Sequence, residues 1–162
     1  MEESGGEYRF SVRDDGRGMS PEELARAVDP FVTDGRKHPR RRVGLGLPFM
    51  IQAAEQAGGG WDLRSEKGAG TLVSARFDAG HVDMPPEGDV AGMLRTVLMF
   101  EGPAEVAIRR ARRREGSPPL CYEIRKSELA EALGGLGDAG ALVLLDRYLR
   151  SLEEGDPEGS GG

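Results

Sequence analysis

The chain has 162 residues, a formal net charge of -6 and a single cysteine, Cys121. This length suits one domain, or one domain with a small appendage, that buries its own core. One cysteine and two histidines exclude a disulfide framework and a cysteine zinc site, and they leave little for a histidine-rich metal site. No apolar run approaches the roughly 18 residues of a membrane span, and the N-terminus is acidic, so we expect a cytoplasmic protein with no membrane partner.

The start of the chain predicts a strand followed by a short helix. Residues 7–13, EYRFSVR, alternate apolar and polar side chains with the period of a half-buried strand. Ser20, followed by Pro21 and two glutamates, has the composition of a helix start, with a capping hydroxyl and acids near the positive end of the helix dipole. We expect this helix to reach about Val28.

A basic, aperiodic stretch then precedes a second helix and a hairpin. Residues 29–44 contain glycine, prolines and several basic side chains, which predicts a long loop. An apolar stripe predicts a helix from about Gly46 to Gly58. Residues 61–66 and 71–77 both alternate, and the KGAG between them supplies hairpin-turn residues.

Three short glycine-containing motifs lie at the ends of these elements: DDGRG at 14–18, GLGL at 44–47 and GAGT at 68–71. Each motif alone is compatible with a plain turn, a helix start or a hairpin. Together they suit a nucleotide, because an ionised aspartate only accepts hydrogen bonds and selects adenine over guanine. Glycine amides that lead into a helix N-terminus are suited to polyphosphate. The hairpin argues against a dinucleotide-binding fold, which needs a parallel repeat.

The order of these motifs resembles the second half of the ATP-binding domain of sensor histidine kinases, type II topoisomerases, heat-shock chaperones and mismatch-repair proteins. The resemblance covers about residues 7–77. It implies an α+β fold, a two-layer sandwich of a mixed, mainly antiparallel sheet with helices on one face. It also implies that the chain binds ATP or ADP.

The resemblance assigns an adenine side and a phosphate side. Asp14 would accept from the adenine amine, the two glycines after it would bring the turn against the base, Met19 would pack on the base, and the Thr71 hydroxyl would help to hold it. The GLGL box would bind phosphates beneath a basic lid that follows an Asp-Pro-Phe stretch. The nucleotide-binding residues implied are Asp14, Gly16, Gly18, Met19, Phe31, Lys37, Arg42, Gly44, Leu45, Gly46, Leu47 and Thr71.

The chain departs from the family pattern on its magnesium side. The family begins with a helix that carries an acid, which orients water, and an asparagine four residues later, which helps to hold Mg²⁺; nothing before Glu7 can be that helix. Either an upstream segment is missing or this side of the pocket has been lost. Arg42 stands where many members have a glycine. Two roles stay open for it, a phosphate-binding cation and a solvated loop charge.

Two functions from different classes therefore stay open. One is an ATPase or kinase-like enzyme whose missing helix lies upstream, with these 162 residues alone inactive and no catalytic residue assigned. The other is a non-catalytic nucleotide-sensing module that acts through a protein partner. Neither histidine lies in a helical dimerisation pattern, so self-phosphorylation is not supported. Mg²⁺ stays possible as a cofactor although its usual protein ligand is absent.

The rest of the chain predicts a smaller second unit. We divide the chain into a partial ATP-binding domain at 1–80, a helix–hairpin–helix extension at 81–152 and a disordered tail at 153–162. This layout resembles, less specifically, small stand-alone bacterial ATP-binding proteins. Basic residues on the extension's hairpin lack an aromatic platform, and with the acidic net charge this argues against nucleic acid as a partner.

The extension's elements follow from caps and periodicity. A helix capped by Asp89 is expected to bury an apolar stripe, and Ser127 and Asp138 are expected to open two further helices, the last through Leu152. Between the first and second of these helices, two alternating segments around REGSP predict a hairpin. The expected stripe consists of Val90, Met93, Leu94, Val97 and Leu98.

Overall fold

The structure, a computed structural model, describes residues 1–29 and 46–155. Within these ranges the chain forms two compact units, one of Met1 with Gly6–Pro85 and the other of Glu2–Gly5 with the residues from Pro86 onward. Parallel and antiparallel strand pairs occur together with helices, which confirms the expected α+β class with a mixed, mainly antiparallel sheet. The elements are β1 (Glu2–Ser4), β2 (Glu7–Asp14), α1 (Pro21–Ala27), α2 (Gly46–Gln56), β3 (Gly60–Glu66), β4 (Gly70–Asp78), α3 (Val90–Leu98), β5 (Ala107–Arg113), β6 (Leu120–Arg125), α4 (Lys126–Leu133) and α5 (Ala139–Glu154).

In the part of the first unit that the structure describes, the sheet has three antiparallel strands. β4 pairs with β2 from Glu7↔Asp78 to Asp14↔Thr71, and on its other side with β3 from Gly60↔Arg76 to Glu66↔Gly70. Helix α2 packs on β3 and β4, and Ala54 of the helix and Ala57, the residue after its end, are fully buried. Small side chains at this contact let the helix approach the sheet closely. The predicted strand, second helix and hairpin are confirmed.

Helix α1 begins where the sequence predicts. The hydroxyl of Ser20 accepts from the amide of Glu23 at 3.3 Å, and the Glu23 carboxylate accepts from the amide of Ser20 at 3.0 Å. These two bonds form a capping box that satisfies otherwise unpaired amides of the first turn. Pro21 occupies the first helical position, where its missing N–H costs nothing.

The described residues of the second unit form three strands and three helices. β5 pairs with β1 in parallel and with β6 in antiparallel, and α3 packs against α5. The expected stripe of α3 is only partly buried, because Met93 and Val97 are 40% and 41% exposed. The helix instead buries the narrower face of Ala91, Leu94 and Leu98. A helix that packs chiefly on one other helix needs only a narrow apolar face.

Two expectations about the ends of helices in this unit are wrong. Ser127 is not the cap of α4, which begins one residue earlier; its amide and hydroxyl both donate to the carboxylate of Glu105. The Glu105 carboxylate, which is distant in sequence, thus accepts a hydrogen bond from a backbone amide of the first turn in place of a local capping side chain. The tail from residue 153 is not wholly disordered, because α5 continues to Glu154 and closes on Gly155 at φ +72°. Residues 156–162 lie outside the described residues.

Arginines of β5 are held by carboxylates inside the second unit. Arg110 is 0% exposed and donates to Glu87 at 2.7 Å and to Glu153 at 3.3 Å. The Tyr122 hydroxyl also donates to Glu153, and burial together with that contact raises the pKa of Tyr122. Arg112 donates to the backbone carbonyl of Glu153 at 2.9 Å. These basic residues therefore serve the unit's own packing, since buried charges must be paired.

No helix of the described ranges is long and apolar enough to cross a membrane.

Candidate functional site

Three polar side chains form a row across the strands of the first unit. Asp14, the last residue of β2, lies opposite Thr71 of β4, and Thr71 lies opposite Ser65 of β3. Directly opposed residues of antiparallel strands present their side chains on the same face. Alternation places this row on the same face of β4 as Ala75, which is buried. We call Asp14, Thr71 and Ser65 the polar row.

The turn after β2 fixes the orientation of the Asp14 carboxylate. The amide of Gly16 donates to Oδ1 of Asp14 at 2.8 Å, which forms an Asx turn. The second oxygen, Oδ2, accepts no hydrogen bond from the described residues, and the side chain is exposed. The carboxylate is therefore oriented by its own turn and open to another molecule on one side.

Two glycines allow this turn to contact the hairpin backbone. Gly18 has φ +61°, and an added Cβ would lie 1.8 Å from the carbonyl oxygen of Glu66. Gly70 has φ +97°, and an added Cβ would lie 2.0 Å from the carbonyl oxygen of Asp14. Only glycine fits both the conformation and the close approach. Contacts within the chain thus already require glycine at these two positions.

Ser65 ties the polar row to the turn. Its hydroxyl lies 2.9 Å from the amide of Met19, 3.0 Å from the carbonyl oxygen of Gly70 and 3.0 Å from Oγ1 of Thr71. Sequence reasoning missed this residue. If all of KGAG formed the turn, residue 66 would lie opposite Thr71, whereas in the structure Gly70 belongs to β4 and Ser65 lies opposite Thr71. The contact depends on a hairpin register that is one residue different from the one the turn residues suggest.

Apolar surface adjoins the polar row. Val12 precedes Asp14 by two residues, so the two side chains share a face, and Val12 is 49% exposed. Met19 is half-buried at the end of the turn. An exposed acceptor beside open apolar surface suits a flat, partly polar ring.

The residues expected on the phosphate side are only partly described. Gly46 and Leu47 form the first turn of α2, a separate element that packs on β3 and β4. Gly46 is exposed, and an added Cβ would meet no atom within 4 Å. Phe31, Lys37, Arg42, Gly44 and Leu45 lie outside the described residues.

The described ranges contain no group of three or more His, Cys, Asp or Glu residues arranged to hold a metal ion.

Comparisons with known proteins match the part of the chain that contains the polar row. Residues 1–81 match the family model described as histidine kinase-, DNA gyrase B- and HSP90-like ATPase. A segment of 73 residues is 40% identical to the histidine protein kinase DivJ of Caulobacter vibrioides. That segment is 44% of this chain and 12% of the kinase, so the chain matches only a small part of the kinase's length.

Proposed function

The chain belongs to the histidine kinase-, DNA gyrase B- and HSP90-like ATPase family, and from this membership we propose that it binds ATP or ADP with the adenine at the polar row. The observation that carries the proposal is the Asp14 carboxylate. It is exposed, held by the Gly16 amide through one oxygen, and free of hydrogen bonds from the described residues at the other.

Charge and hydrogen-bonding capacity favour adenine at this position. An ionised carboxylate can only accept, and the exocyclic amine of adenine donates. Guanine presents a carbonyl oxygen at the same ring position, which would face the carboxylate without a proton between them. Val12 and Met19 provide apolar surface beside Asp14 for the face of the base.

The phosphates are proposed to lie at the start of α2. The glycines of the GLGL box, Gly44 and Gly46, would supply backbone amides, and the helix N-terminus adds a partial positive charge. Lys37 and Arg42 would contribute cations from the lid. Support for this side comes from the family match and from the first turn of α2, because the lid lies outside the described residues.

The chain's own residues do not fit the family's magnesium site. The family's asparagine ligand cannot come from this chain, since its 162 residues contain no asparagine. Within the described part there is also no cluster of acids or histidines that could replace it. The proposal is therefore nucleotide binding, and it includes no step that depends on a metal held by this chain.

Calorimetric titration tests the proposal. ADP should bind the purified chain, and GDP should bind at least about tenfold more weakly, since its ring carbonyl would face the Asp14 carboxylate with no proton between them. Equal affinities for ADP and GDP would remove adenine recognition from the polar row. No binding of either nucleotide would remove the proposed function.

A second candidate function is a non-catalytic nucleotide sensor that acts through a protein partner. The extent of the family match favours it, because the match ends at residue 81 and leaves the second unit, with its own buried leucines, outside. Hydrogen exchange with and without ADP separates the two candidates. A sensor should change amide exchange in β5 and β6, whereas binding alone should change exchange only between residues 6 and 85.

A further inference from the structure

The contacts of Ser65 go beyond those that a strand residue needs. Its hydroxyl reaches three different segments: the turn through Met19, the hairpin through Gly70 and the polar row through Thr71. Two of these partners are backbone groups, which would otherwise need a water molecule as their hydrogen-bond partner. Ser65 is half-buried and comes from β3, the strand farthest from Asp14 within the polar row.

The number of protons at Ser65 determines the direction of each bond. A hydroxyl has one proton and two lone pairs. The proton of Ser65 goes to the carbonyl oxygen of Gly70, which can only accept, and the amide of Met19 can only donate to Ser65. The remaining lone pair of Ser65 accepts the proton of Thr71, whose oxygen lies 3.0 Å away.

This arrangement fixes what Thr71 can offer to a ligand. With its proton committed to Ser65, Oγ1 of Thr71 has only lone pairs left. Asp14, directly opposite Thr71, also offers only lone pairs. The two residues together therefore form a pair of acceptors, which suits a group that carries two protons, such as the exocyclic amine of adenine.

We propose that Ser65 is a positioning residue for base recognition, which holds Thr71 as an acceptor. The inference rests on the proposed function, and it adds a specificity element that neither the motifs nor the family match assigns. Ser65 acts through Thr71 and does not itself contact the base.

The test compares nucleotide affinities of Ser65 variants by calorimetry. Ser65→Ala should weaken ADP binding about tenfold, the effect of one lost hydrogen bond. Ser65→Thr keeps a hydroxyl at a strand position that accepts β-branched residues, and should stay within about threefold of wild type. Ser74→Ala is the matched control, a serine of β4 on the other face of the sheet, and should bind ADP as wild type does.

A second ligand separates positioning from general stability. The 6-unsubstituted purine nucleoside diphosphate lacks the exocyclic amine, so Ser65→Ala should hardly change its affinity. A merely structural role would weaken both ligands equally, and that result would overturn the inference. The loss caused by Ser65→Ala should also shrink in a Thr71→Val background, whereas independent losses in that double-mutant cycle would contradict action through Thr71.

Wild-type binding separates this inference from the proposed function. If wild type binds no ADP, both fail. If wild type binds ADP and Ser65→Ala binds it equally well, only the role of Ser65 fails. Circular dichroism checks each variant, and if Ser65→Ala does not fold, the pair Ser65→Thr and Ser65→Val isolates the hydroxyl at nearly constant shape.

Discussion

The two carboxylate oxygens of Asp14 have different partners, and the substitution Asp14→Asn exploits this difference. The asparagine Oδ1 can still accept from the amide of Gly16, so the turn should keep its conformation. The other carboxylate oxygen becomes an amide nitrogen, which donates where the adenine amine also donates. ADP binding should weaken by about 1.5 to 3 kcal/mol, the contribution of a charge-assisted hydrogen bond, as measured by calorimetry.

Asp15→Asn is the matched control for this change, because it removes the same charge from the neighbouring exposed residue. It should alter ADP affinity much less, since long-range charge effects at exposed positions are screened. Equal losses in the two variants would mean that Asp14 acts through overall charge and does not contact the base.

Gly18 and Gly68 allow conformational strain to be separated from steric clash. Both have positive φ, +61° and +88°, but a Cβ at Gly68 would meet nothing within 4 Å, whereas one at Gly18 would overlap the carbonyl oxygen of Glu66. Gly68→Ala should therefore lower the free energy of unfolding by about 1 to 2 kcal/mol, the cost of the left-handed conformation. Gly18→Ala should lower it by about 3 kcal/mol or more. Urea denaturation measures both, and similar losses would show that the turn and hairpin can separate at little cost.

Elements whose signals are local could be predicted from the sequence. Helix α1 follows from Ser20 and Pro21, because a capping box and an N-terminal proline act within four residues of each other. The hairpin of β3 and β4 follows from alternation around a glycine-rich turn. Alternation also places Asp14 at the end of a strand, but its position beside Thr71 was expected only from the family resemblance, because β2 and β4 are separated by more than fifty residues.

Elements that depend on distant partners could not be predicted. Strand β1 is three residues long without apolar alternation, and its parallel partner β5 lies about a hundred residues away in the sequence. The start of α4 depends on Glu105, a residue more than twenty positions earlier. The role of Ser65 depends on three partners that only the folded hairpin and turn bring together.

Helix α2 offers a test of the proposed phosphate side. Gly46→Ala places a methyl group in open space at the first helical residue, and alanine favours helix more than glycine does. The melting temperature should stay the same or rise slightly. If backbone amides at this turn bind phosphates, ATP affinity should nevertheless fall, because the methyl group obstructs their approach. Unchanged ATP affinity would contradict a phosphate site at Gly46.

The contacts of β5 with the segment before α3 predict acid sensitivity of the second unit. Burial raises the pKa of Glu87, but hydrogen bonds and charges from Arg114 and Arg110 outweigh it and hold that pKa below its ordinary value of 4.5. A lowered folded-state pKa means that the contribution to stability is present above pH 4.5 and is lost as the pH falls through the folded-state value. Glu87→Gln should remove this part of the pH dependence, as seen in hydrogen exchange of β5 amides between pH 3 and about pH 6.

Glu131→Gln provides the comparison, because Glu131 is exposed on α4 in the same unit. It should leave the acid dependence of β5 exchange as in wild type. If Glu87→Gln and wild type lose protection in parallel as the pH falls, the ion pairs of Glu87 do not contribute to the stability of this unit.

The chain as a whole divides into a part that the family explains and a part that it does not. The family match ends at residue 81, close to the boundary between the two compact units. The second unit has its own buried residues on α3 and α5 and its own ion pairs around Arg110. The nucleotide site that we propose therefore uses residues of the first unit. The function of the second unit needs a separate test.

Turnover by the whole chain is the last prediction. The chain contains no asparagine, and the described residues include no group of three or more His, Cys, Asp or Glu that could hold a metal ion, so these residues offer Mg²⁺ neither the family's asparagine ligand nor such a cluster. ADP affinity should therefore change little between Mg²⁺ and a chelator. Phosphate release from ATP should stay near background, because positioning and general-base effects each contribute factors of about a hundred or more. Strong Mg²⁺-dependent turnover by these 162 residues would show that another acid, such as Asp15 or Glu22, has taken the catalytic role.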